Sequence, residues 1–152
     1  MQIPDRTGFL KSVSEEFYRL DGFQKAETIP IEELRVTAGY SAFILVPFMR
    51  WLHGRALKTL AKQREKYPAV EEEANLIVSQ QDTQTFICRA FRTIPKDEIL
   101  TEYAFVKIFS EALYNLAIET HGQIRFDPVL FAVVAHKITI TGIREYCHSA
   151  PK

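Results

Sequence analysis

The sequence predicts an all-α fold, a bundle of five or six helices packed around a central apolar helix, with residues 1–152 forming a single helical domain that has poorly ordered ends. Three observations carry this reading. Apolar residues recur at helical spacing through most of the chain. Asp127-Pro128 and His121-Gly122 stand where a helix start and a helix stop belong. The segment Ile99 to Glu119 is apolar around nearly its whole girth, which requires other helices on most sides of it.

Along the chain, Phe9, Leu10, Val13, Phe17 and Leu20 share one face while Lys11, Ser14, Glu15 and Arg19 occupy the others, so a first helix is expected over Thr7 to Leu20, ended by Asp21 and Gly22. A polar connector runs to Thr28. Pro30, followed by Glu32 and Glu33, then reads as a new helix start, because its missing N–H is no loss in a first turn and acids favour the positive end of the helix dipole. The helical pattern continues from Ile31 to Lys66, with a break or kink expected at Pro47, and Tyr67-Pro68 closes it.

A third helix is expected from Ala69 to Phe91, opened by Glu71, Glu72 and Glu73. Its uniformly polar middle, Ser79 to Thr85, is either a surface stretch or a break between two shorter helices. Pro95 and Asp97 introduce the central helix, on which Lys107, Glu111 and Asn115 make a narrow polar strip. The last segment, Asp127 to Tyr146, is rich in Val, Ile and Thr. Helix is preferred because the run exceeds a strand of about five or six residues, and Lys137 to Thr141 is the stretch most open to being extended.

Composition sets bounds on function. With 47% apolar and 25% charged residues the chain falls in the globular range, and 19 basic residues balance 19 acidic ones. Cys88 and Cys147 stand far apart in sequence and are expected as free thiols in a reducing, cytoplasmic setting, Cys88 as a small core residue. Neither Ala42 to Met49 nor Pro128 to Ala135 is long enough to cross a bilayer, and Met1 to Leu20 carries charges where an export signal needs an apolar core. His53, His121, His136 and His148 lack metal-ligand spacing and no glycine-rich phosphate loop exists, so no metal and no cofactor are expected.

Charge is nevertheless segregated. Phe48 to Tyr67 holds Arg50, Arg55, Lys58, Lys62, Arg64 and Lys66 against Glu65 alone, a local charge of plus five. Positions 55, 58, 62 and 66 line one side of a helix. That ridge is a candidate nucleic-acid surface, with Arg55, Lys58, Lys62 and Lys66 on phosphates and Trp51 or Tyr67 stacking on a base. The plainer reading is a solvated face whose cations sit near Glu71 to Glu73.

Arg144, Cys147 and His148 invite comparison with the helical HEPN ribonuclease motif, but Arg144 and His148 stand closer together than that motif requires. The preferred function is therefore a non-enzymatic interaction or regulatory protein whose partner is another protein or itself, with Phe43, Phe48, Trp51, Phe86 and Phe91 as interface candidates. Nucleic-acid binding through the ridge is the alternative. A small helical enzyme using His148 or His136 is the third reading.

Overall fold

The computed structural model describes residues 2–21, 28–30, 68–93, 99–141, 143–148 and 150. They form α1 (Arg6–Asp21), β1 (Thr28–Pro30), α2 (Pro68–Ser79), α3 (Gln81–Arg92), β2 (Ile99–Thr101), α4 (Glu102–Glu119), α5 (Pro128–Thr141) and α6 (Ile143–His148). The fold is an all-α bundle, as the periodicity requires. The kink expected at Pro47, the helix expected over Ile31 to Lys66 and the basic segment all lie outside the described residues.

The start of α1 is fixed by Asp5, whose carboxylate accepts from the Gly8 N–H at 2.9 Å while its carbonyl accepts from the Phe9 N–H at 2.8 Å. This is an N-cap, and it satisfies donors that have no partner within the helix. Phe9, Val13 and Phe17 then point inward from one stripe.

The polar middle of the third expected helix proves to be a break. Gln80 takes an extended conformation between α2 and α3, the Ser79 hydroxyl donates to the Leu76 carbonyl at 2.8 Å, and the Gln80 N–H donates to the Ile77 carbonyl at 3.1 Å. Those bonds close the end of α2, and α3 restarts with Thr83, Ile87, Cys88 and Phe91 as its buried face.

Two expectations are corrected. Pro30 does not open a helix: Thr28–Pro30 is a strand. Ile99–Thr101 is not the first turn of the central helix but its antiparallel partner, with Thr28 opposite Thr101, Ile29 opposite Leu100 and Pro30 opposite Ile99. Pro30 ends its short strand, a position that tolerates a residue without an N–H. β-branched Ile99 and Thr101 satisfy their backbone groups as readily in a ladder as in a helix, and only a pairing partner far away in sequence decides between them.

α4 and α5 supply most of the core. On α4, Phe105, Val106, Phe109, Leu113, Leu116 and Ala117 are all buried. α5 is enclosed more completely still, for every residue from Leu130 to His136 is buried and Ile138 joins them. That burial explains why its sequence shows no polar stripe: it packs against α2 on one side and α1 on another, with α4 and α6 as further neighbours. It is helical through Thr141, whose hydroxyl donates back to the Lys137 carbonyl at 3.0 Å, so the stretch most open to being strand is helix. Asp127 caps it as expected, accepting from the Val129 N–H at 2.9 Å. At the far end of α4 the chain reverses through His121 and Gly122, both at positive φ (51° and 94°), a conformation that stops a helix.

Aromatic rings fasten α1 to this core. Phe9 meets Phe131 at 4.8 Å and Phe126 at 5.6 Å edge to face, and the tilted ring of Tyr114 at 5.9 Å. Phe17 stacks flat on His136. Such contacts add roughly 0.5–1.5 kcal/mol per pair beyond simple burial.

A charged groove between α1 and α4 as candidate functional site

α1 and α4 run antiparallel. The Arg6 guanidinium donates to the Asn115 side-chain oxygen at 2.9 Å and lies over the Tyr114 ring, 5.2 Å from its centroid, while the Tyr114 hydroxyl donates to the Pro4 carbonyl at 2.8 Å. The start of α1 is thereby tied to the later turns of α4. From that tie the two helices enclose a groove of about 670 Å³, lined by Arg6, Thr7, Leu10, Lys11, Ser14 and Glu15 on α1 and by Glu111, Ser110 and Lys107 on α4.

Three cations, Arg6, Lys11 and Lys107, line the groove together with two acids, Glu15 and Glu111. Leu10, half-buried, supplies apolar surface, and Ser110, fully buried, donates its hydroxyl to the Val106 carbonyl of its own helix. The groove offers mixed charge and apolar surface.

These residues were partly visible in the sequence. Lys107, Glu111 and Asn115 form the polar strip on the apolar helix, and Lys11, Ser14 and Glu15 lie on the polar faces of α1. That the two polar faces oppose each other is a tertiary fact that periodicity does not contain.

The sequence-derived candidates fare unevenly. Arg55, Lys58, Lys62, Lys66, Trp51, Tyr67, Phe43 and Phe48 lie outside the described residues. Phe91, expected at an interface, is instead 4% exposed and packs on Phe105 with centroids 5.6 Å apart, so its ring belongs to the core. Phe86 is half-buried against the same core. His136 is buried within α5, His148 is exposed at the end of α6, and neither lines the groove. Among the described residues, no cluster of His, Cys, Asp and Glu is placed to hold a metal ion, and no helix is long and apolar enough to cross a membrane.

Glu71 and Glu73, the acids suggested as neighbours of the basic segment, both form ion pairs among the described residues. Arg125 donates to both oxygens of Glu73, at 2.8 and 3.3 Å, and to Asp127 at 2.8 Å. The hydrogen bond to Glu73 is the main reason its pKa is raised. Lys137 reaches Glu71 at 3.3 Å. These contacts tie α2 to the start and the middle of α5.

The largest correction concerns the cysteines. Cys88 on α3 and Cys147 on α6 are joined as a disulfide, with Cα atoms 5.5 Å apart across a sequence separation of 59. Both are buried, and the expected free thiols are absent among the described residues. Sequence distance concealed the pair because α3 and α6 meet only once the bundle has formed.

Comparison of the chain with protein families, with curated proteins and with solved structures finds no match, so the groove's geometry and the disulfide are what bear on function.

Proposed function

We propose that this chain is a non-enzymatic helical interaction protein that self-associates through the groove between α1 and α4. The observation that supports the reading is the mixed charge of the groove, which sets Arg6, Lys11 and Lys107 beside Glu15 and Glu111. A second copy related by a two-fold axis across the groove sets Lys107 against Glu111 of the other copy and Glu15 against its Arg6. Symmetry repeats both contacts, which is the self-complementarity an isologous dimer needs. Charge matching of this kind fixes register and partner choice, while Leu10 contributes apolar area.

Sedimentation across a wide concentration range tests the reading. A reversible monomer–dimer equilibrium that weakens with added salt is expected; a clean monomer throughout removes the proposal.

Nucleic-acid binding by Arg55, Lys58, Lys62 and Lys66 is kept as a second reading. Its support is the local charge of plus five between Phe48 and Tyr67. Binding to a single-stranded oligonucleotide that falls steeply with salt, and falls again in the Lys58→Glu/Lys62→Glu chain, is expected; no binding at low salt removes it. Lasting disulfides are rare in reducing compartments, so the Cys88–Cys147 bond favours an oxidising setting over the cytoplasm.

A further inference from the structure

We propose that the Cys88–Cys147 disulfide is a redox-controlled clasp, whose reduction by a dithiol releases the carboxy-terminal helix α6 from the bundle while the rest of the fold stays intact. The proposal is independent of the groove and rests on how α6 is held.

α6 is six residues long, too short to persist as a helix without tertiary support. It packs on α3 and α5. Its described anchors are Tyr146 and Cys147, buried at 2% and 5% exposure, followed by Ala150, whose N–H donates to the Cys147 carbonyl at 3.3 Å. One anchor is costly. Among the described residues the Tyr146 hydroxyl has no hydrogen-bond partner, and neither has the buried Thr83 hydroxyl on α3. A hydroxyl withdrawn from water without a partner opposes burial, so Tyr146 gains from its ring and loses at its oxygen. The covalent bond to Cys88 offsets that loss by keeping the tail close to its binding surface. Without the bond, undocking returns the Tyr146 hydroxyl to water.

The chemistry balances as a thiol–disulfide exchange. A thiolate of the dithiol attacks Cys147 Sγ, the sulfur carried on the shorter and more easily opened element, and expels Cys88 as the leaving thiolate. The second thiol of the reductant then attacks the mixed disulfide and releases Cys147. The two cysteines gain two electrons and two protons, and the dithiol leaves as a cyclic disulfide.

Hydrogen exchange read by mass spectrometry on the full chain tests this, before and after treatment with dithiothreitol. On reduction, protection of the 143–148 amides is expected to fall on the order of 100-fold, the scale of a typical disulfide contribution. α4 and α5 are expected to stay protected, and reoxidation to restore α6. The Cys147→Ser chain is expected to show the released tail without reductant, and Tyr146→Phe, which lacks the unpartnered hydroxyl, to lose less protection on reduction than the native chain. Unchanged protection of α6 on reduction, loss of protection throughout α4 and α5, or two free thiols in the purified unreduced protein would each overturn the clasp.

Discussion

Phe17 and His136 lie face to face, their ring centroids 4.3 Å apart and their planes within 6° of parallel. Both are buried, and the stack joins α1 to the most enclosed helix of the bundle. Truncation at Phe17 leaves a cavity beside His136 that the surrounding helices cannot fully close. Phe17→Ala is therefore expected to cost roughly 3–5 kcal/mol by denaturant unfolding. Leu76, on the outer side of α2 and 65% exposed, gives the contrast: Leu76→Ala should stay within about 0.5 kcal/mol of the native chain.

Asp127 serves α5 in two ways, capping its first turn and accepting a hydrogen bond from Arg125. Asp127→Ala is expected to destabilise by about 1 kcal/mol, mostly through the cap. Arg125→Ala removes only contacts that remain substantially solvated, since the Arg125 side chain is 53% exposed, and should cost no more than about 1 kcal/mol. Thermal or urea unfolding of the two variants separates the cap from the ion pair.

Burial raises the Tyr146 phenol well above its ordinary pKa of 10.0. Ionisation is therefore easier in the unfolded chain than in the folded one. Above about pH 10 the folded state holds a proton that the unfolded state has released, so stability is full below that pH and declines as pH rises toward the folded-state value. The slope attributable to this residue approaches 1.4 kcal/mol per pH unit at most, as an order-of-magnitude figure. Urea titrations of the oxidised protein between pH 8 and 11 should show the decline, and Tyr146→Phe should flatten it. An identical alkaline profile in the variant would remove Tyr146 from the explanation.

The helices were legible in the sequence where one face is apolar and the ends carry capping chemistry. Phe9, Val13 and Phe17 announced α1 to within one residue at each end, and Asp127-Pro128 marked the start of α5. Two kinds of feature were not legible. Ile99–Thr101 reads as helix because strand pairing with Thr28–Pro30 is decided by residues about seventy positions away. The Cys88–Cys147 bond and the groove between α1 and α4 likewise arise from which elements meet, and spacing within one element carries no information about that. For α5 the difficulty was different: a helix buried on every side has lost the polar stripe by which a helix is recognised.

Charge reversal within α4 tests the proposed association most directly, because the proposal pairs Lys107 with Glu111 of a second copy. Sedimentation equilibrium is expected to show weakened self-association for Lys107→Glu and for Glu111→Lys, each by about tenfold or more, while the double variant, in which both charges are exchanged, recovers most of the native affinity. Leu76→Glu, outside the groove, should leave association unchanged. If the double variant associates no better than the single ones, or if Leu76→Glu is the change that abolishes the dimer, the groove between α1 and α4 is not where two copies meet.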